Sequence, residues 1–147
     1  MRRLRILLSG PQLVDPGAGN DDLPASILST ASMRELVARA ETDTPGDARR
    51  FRMLVEVDGC ERPHEEDEWI GRRVRAGGAV VRVLQPIPRC AVTTQDPATG
   101  IRDFKTRHLI KDYRGVRGGK YLDFGVGAEV AEPGPIRLGD PVEPLAD

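Results

Sequence analysis

The chain has 147 residues, and its 22 Lys+Arg against 23 Asp+Glu give a formal net charge of -1. At 39% hydrophobic and 31% charged, it is neither disordered nor membrane-spanning in composition. Its length suits one domain with a sizeable core. The near-zero charge speaks against a dedicated nucleic-acid binder, which concentrates basic residues on one face.

Residues 1–24 read as an irregular N-terminal extension, broken by Pro11, Asp15-Pro16-Gly17, Gly19-Asn20-Asp21-Asp22 and Pro24. Its first residues, Met1 to Leu8, faintly resemble the charged start of a signal peptide. The apolar run stops at Ser9-Gly10-Pro11, far short of a secretory or membrane segment, so the expected location is the cytoplasm. A domain over residues 25–147 follows. Met33, Leu36, Val37 and Ala40 recur at helical spacing, and Ser32 followed by Glu35 reads as a capping box opening that helix. A Pro45-Gly46 loop closes it.

From Phe51 onward the pattern turns to strands. Expected runs are Leu54–Val57, with a turn at Asp58-Gly59, then Ala79–Leu84, then Ala91–Thr94, with a turn at Asp96–Gly100. Tyr121–Val130 and a short Ile136–Leu138 come last, and a weaker second helix is expected near 104–112. With Gly 16 and Pro 12 as punctuation, the fold class is mainly β, a small barrel or sandwich with a few short helices. Aromatics are only 4%, which leaves the core to Val, Leu, Ile and Ala.

Two cysteines, Cys60 and Cys90, are too few for a disulfide framework. Cys90 follows Pro86-Ile87-Pro88-Arg89, where a guanidinium could favour the thiolate that attacks or binds a soft metal. The plainer alternative is a buried structural thiol. Arg49-Arg50-Phe51-Arg52 is either a phosphate clamp or a solvated rim anchored by Phe51. Thr93-Thr94-Gln95-Asp96 offers hydroxyls and a carboxylate, or simply a strand end and an Asp-Pro turn. Cys60, His64 and Glu65–Asp67 do not read as a zinc site, since a second cysteine pair is lacking; Glu65–Glu68 reads as a solvated acidic loop. His64 and His108 sit in no nucleophile motif, and neither phosphate-binding glycine loop is present. Lys111–Lys120 reads as a flexible basic surface loop.

Together these segments resemble the MOSC domain, named for the C-terminal domain of molybdenum cofactor sulfurase. The matching pieces are Ser29-Thr30-Ala31-Ser32, Arg50-Phe51-Arg52, Trp69-Ile70-Gly71, Arg89-Cys90-Ala91-Val92-Thr93-Thr94-Gln95-Asp96-Pro97-Ala98-Thr99-Gly100, Phe124-Gly125-Val126 and Gly139-Asp140-Pro141-Val142. The resemblance covers about residues 24–145 and implies a MOSC-type, β-barrel-like domain. It further implies a molybdenum cofactor, a pterin dithiolene, with Cys90 as the metal ligand. Arg52 and Arg89 would bind the cofactor or its phosphate. Thr30, Ser32, Thr93 and Thr94 would lie close to it, and Asp96 would act with Cys90 in catalysis. Where the family often reads Arg-Phe-Arg-Pro-Asn, Met53 and Leu54 follow Arg52 here, removing an amide.

The amidoxime-reducing branch of the family implies an oxidoreductase of N-hydroxylated compounds fed by an external electron-donor protein. That branch also carries an N-terminal β domain. Either a partner chain supplies that half, the cofactor is held weakly, or the domain has been retasked; neither nucleic acid nor membrane is expected as partner. A different function remains open: a sulfur carrier passing a Cys90 persulfide to a metallocluster or a biosynthetic acceptor, or a non-catalytic cofactor-binding subunit.

Overall fold

The computed structural model describes residues 4–7, 23–40 and 47–146. The breakers at 11–22 and the Pro45-Gly46 loop lie outside them. The described strands are β1 (Leu4–Leu7), β2 (Ala25–Ser29), β3 (Val55–Asp58), β4 (Arg73–Ala76), β5 (Ala79–Pro88), β6 (Asp123–Glu132) and β7 (Pro141–Pro144). They close into a barrel in the order β1-β3-β2-β6-β5-β4-β7, with β7 pairing back onto β1. Only β2 and β3 run parallel, because helix α1 (Thr30–Arg39) carries the chain across between them.

Alternation builds the interior. Val55 and Val57, Val74 and Ala76, Val81 and Val83, Val126 and Ala128 all point inward, meeting Leu4, Ile6, Ala25, Ile27 and Trp69. A second core lies outside the wall of β2, β5 and β6. There α1 and helix α2 (Thr106–Arg114) cover Leu28, Ile87 and Phe124, together with Met33, Leu36, Phe51, Met53, Phe104, Ile110 and Leu122. These strands are therefore apolar on both faces. Phe124, fully buried, stacks on Phe51 with ring centroids 4.6 Å apart.

The mainly β barrel with a few short helices is what the sequence leads one to expect, and several local expectations are corrected. Leu4–Leu7 is not part of an irregular extension; it is the strand that closes the barrel between β3 and β7. Ala91–Thr94 forms a 3₁₀ turn rather than a strand. The Thr93 and Thr94 hydroxyls donate to the carbonyls of Cys90 and Ala91 at 2.9 and 2.6 Å, which favours a tight turn. Ile136–Leu138 is not a strand. The Pro133-Gly134-Pro135 segment lies against the β4–β5 turn, where the Gly78 amide donates to Pro135 O at 2.9 Å. Pairing passes instead to β7. Lys111–Arg114 belongs to α2, and residues 117–121 form a hydrogen-bonded turn rather than a loose loop.

Glu65–Trp69 is also a 3₁₀ turn, with Glu65 and Glu66 buried rather than solvated. Residues three apart eclipse in such a turn, so Glu66 shares the inward side with Trp69.

Candidate functional site

Cys90 leaves the end of β5 and precedes the first residue of the 91–94 turn, with its thiol exposed and making no capping hydrogen bond. Cys60 is buried in the barrel core. The two thiols thus differ in the property that decides chemical access. Arg89, beside Cys90, turns away from the surface. Its Nε donates to Phe124 O at 2.7 Å and its Nη1 to Phe51 O at 2.9 Å, while Nη2 meets Met53 Sδ at 2.9 Å. Its guanidinium also covers the Phe51 ring at 5.2 Å. All three nitrogens are engaged by protein, so Arg89 ties β5 to β6 and to the 51–53 segment.

Of the three arginines at 49–52, the structure separates the uses. Arg49 pairs with Asp47 at the surface. Arg50, its side chain 2% exposed, forks onto Asp103, and the Asp103 amide donates to Thr94 O at 3.1 Å. That relay clamps the arginine segment to the cysteine segment. Arg52 is exposed, in the left-handed conformation at φ 51, and forms no ion pair among the described residues. Cys90 and Arg52 each adjoin one end of the Arg89–Phe51 bond, so they occupy neighbouring loops.

Asp96 closes the loop that follows. Its Oδ1 accepts from the amides of Ala98 and Thr99 at 2.8 and 2.9 Å, and Gly100 returns the chain at φ +73. What the structure shows of Asp96 is a positioning role through main chain. The Thr93 and Thr94 hydroxyls are likewise turned back onto main chain, the carbonyls of Cys90 and Ala91.

Thr30 and Ser32 do not come to the cysteine loop through their hydroxyls. The helix cap is Ser29, whose Oγ accepts from the Ser32 amide at 3.1 Å; the Ser32–Glu35 capping box does not form. Ser29 Oγ then donates to Ser32 Oγ, and Ser32 Oγ to Glu66 Oε1, both at 2.8 Å. The direction follows from the count, because Ser32 Oγ also accepts from the His64 amide and the carboxylate only accepts. Glu66 Oε1 takes the Ser29 amide as well, at 3.1 Å. Thr30 donates to Asp58 Oδ1 at 2.8 Å.

This buried polar cluster was missed in the sequence, although Glu66 standing three residues before Trp69 signals it. Burial pushes the Glu66 carboxyl up, against the hydrogen bonds that hold it down. His64, with φ 60 and Nε2 2.8 Å from Tyr113 Oη, is driven down to about 3 by burial and by Arg114. Burial likewise raises Asp67, opposed by its pairing with Arg114. Among the described residues, no group of three or more His, Cys, Asp and Glu is arranged to hold a metal ion, and no helix is long and apolar enough to cross a membrane.

The MOSC domain family model matches residues 15–143. The chain is 35% identical over 135 residues to the mitochondrial amidoxime-reducing component 1 of Mus musculus, covering 87% of this chain and 38% of that protein. It is 34% identical over 129 residues to the mitochondrial amidoxime reducing component 2 of Homo sapiens, covering 83% and 37%. The chain thus spans less than two-fifths of the length of these relatives. Among solved structures, YiiM from Escherichia coli superposes with TM-score 0.62 at 17% identity, covering all of this chain and 71% of that one. YiiM from Geobacillus stearothermophilus gives 0.57 at 21% identity, covering 85% and 55%. These structural likenesses show the shared barrel.

Proposed function

The chain belongs to the MOSC domain family, and from that premise we propose that it holds a molybdenum–pterin cofactor and reduces N-hydroxylated compounds. The observation that carries this reading is Cys90, an exposed thiol without a capping hydrogen bond, on a loop fixed from two sides by Arg89 and by Arg50–Asp103. A thiolate is the donor type that suits molybdenum, and an exposed one is accessible to a metal arriving within an organic chelate. Arg52, exposed and free of ion pairs among the described residues, offers the planar fork that suits the cofactor's phosphate. The residues present therefore fit the group. Cys90 and Arg52 would hold it; Arg89, Thr93, Thr94 and Asp96 brace the cysteine loop, while Thr30 and Ser32 bond to Asp58 and to the Glu66 cluster.

When bound, the cofactor supplies a metal that accepts an oxygen atom in a two-electron exchange. The reaction on an amidoxime breaks the N–O bond, consumes two electrons and two protons, and releases water. The electrons come from an external electron-donor protein. In this scheme Cys90 is the metal ligand, Arg89 sets the depth of the loop, and Asp96 keeps its return stroke closed. The relatives' names, which specify amidoxime reduction, support the substrate class. A partner chain completing the cofactor pocket belongs to the same proposal.

The test is elemental analysis by mass spectrometry on protein from a host that makes molybdenum cofactor, comparing wild type with Cys90→Ser. Near-stoichiometric molybdenum in wild type, lost in the variant, is the expected result, and benzamidoxime reduction with an artificial reductant then tests the substrate class. Absence of molybdenum from both proteins would sink the proposal. A persulfide on Cys90, found as one added sulfur by intact-protein and peptide mass spectrometry, would replace it with sulfur transfer.

A further inference from the structure

The charge of the chain is unevenly placed. Between Ile101 and Lys120 there are seven Lys and Arg against two Asp, in a protein whose overall balance is negative. All three lysines of the chain, Lys105, Lys111 and Lys120, fall in this segment. They are exposed, as are Arg102 and Arg107, and none of these five forms an ion pair among the described residues. By contrast, Arg114 and Arg117 are paired, with Asp67 and Asp123.

The fold gives this basic segment a definite place. Arg107 and Lys111 stand one turn apart on the exposed side of α2. At the start of the helix, Thr106 Oγ1 donates to Thr93 O at 2.8 Å. Past its end, Leu122 O accepts from the Arg89 amide at 2.7 Å. Both ends of the basic segment are therefore hydrogen-bonded to the residues that flank Cys90. Exposed apolar side chains lie at the same junction: Val92 in the cysteine turn, Ile101 where the segment begins, and Tyr121 where it ends.

We propose that this face, α2 and the 117–121 turn beside Cys90, docks a protein with an acidic surface, bringing that partner to the thiol. The inference rests on the reading proposed above, in which the site at Cys90 is reduced by an external electron-donor protein. Charge complementarity selects the partner. Apolar contacts ringed by unpaired cations are the composition of a transient protein interface. Lysine is the strongly hydrated point charge that steers encounter over about a Debye length rather than locking a fixed pair. An extended polyanion such as duplex DNA would run off this face onto the acidic remainder of the chain and be repelled there.

The probe is a fluorescent glutamate oligomer of about 8 residues, short enough to stay on this face, titrated by anisotropy at low and at physiological salt, against protein with and without molybdenum. The expected result is salt-sensitive binding that weakens about tenfold or more in K105E/K111E/K120E. The neutral K105Q/K111Q/K120Q set should give a smaller loss in the same direction. R34E/R75E/R137E removes equal charge from exposed sites elsewhere and should lose much less. The proposal is overturned by no salt-sensitive binding, or by equal loss in the control triple. Tighter binding of a DNA duplex or of phosphatidylserine vesicles than of the glutamate oligomer would also overturn it. Binding that persists without molybdenum leaves the docking face standing even if the cofactor reading fails. Molybdenum without binding does the reverse.

Discussion

Arg50 and Asp103 lie 53 residues apart in the chain and meet as a two-pronged ion pair, Nη1 to Oδ1 at 2.7 Å and Nη2 to Oδ2 at 3.0 Å. The pair joins the turn that carries Arg52 to the turn that follows Cys90, because Asp103 also donates its amide to Thr94 O. Two loops that would otherwise move independently are thereby given one geometry.

That pairing makes acid stability depend on Asp103. Hydrogen bonding from Arg50 holds its carboxyl below the ordinary 3.8. A depressed carboxyl contributes stability that is complete above the unfolded value and is lost as pH falls through the folded one. Asp103→Asn should therefore lower the urea midpoint at neutral pH and converge on wild type as acid protonates the Asp103 carboxyl in the folded chain. Equal midpoints at neutral pH would show the pair to be inconsequential.

Ser32 is a hub and Glu35 is not. Ser32→Ala removes a hydroxyl shared by Ser29, His64 and Glu66, leaving a buried amide and a buried carboxylate short of a partner. The expected loss is about 2–3 kcal/mol. Glu35→Ala breaks only a surface pair with Arg39 one turn away, costing at most about 0.5 kcal/mol. Chemical denaturation of the two variants reads the contrast directly, and comparable losses would restore the capping box.

His64 should make the fold lose stability with mild acid. Its folded value, about 3, lies under the ordinary 6.5 because burial disfavours the cation. Below 6.5 the unfolded chain takes up a proton that the folded one refuses. This contribution is intact above that pH and erodes down to about 3. Urea midpoints measured across this window should fall in wild type and fall less steeply in His64→Gln. NMR of the His64 ring should report neutral imidazole near pH 5.

Gly125 sits at φ +84, and a Cβ there would come within 2.5 Å of Met53 Cε and 3.2 Å of Arg89 Nη2. Gly125→Ala combines backbone strain with a clash against the side chains that anchor the cysteine loop. A loss of about 1–3 kcal/mol is expected by thermal unfolding, with faster alkylation of Cys90 as the loop loosens. An unchanged melting temperature would mean that Met53 simply moves aside.

The sequence by itself determined a mainly β class, α1, the strand runs at Leu54–Val57 and Ala79–Leu84, and the family to which the chain belongs, through which the barrel was expected. These are local quantities: alternation and helical period are written in neighbouring residues, and the Arg-Cys and Gly-Asp-Pro-Val strings are contiguous. Tertiary structure decided which polar groups remain available. Arg89 and Arg52 look equivalent along the chain, yet one is engaged by Phe51, Met53 and Phe124 and the other stays exposed. Glu66 reads as solvated until the turn at 65–69 rolls it beneath α1, where Ser29 and Ser32 take it up. Leu4–Leu7 reads as a stray apolar run until β3 and β7 supply its partners. Hydrogen-bond partners across tens of residues are set by the closure of the sheet, which no local pattern contains.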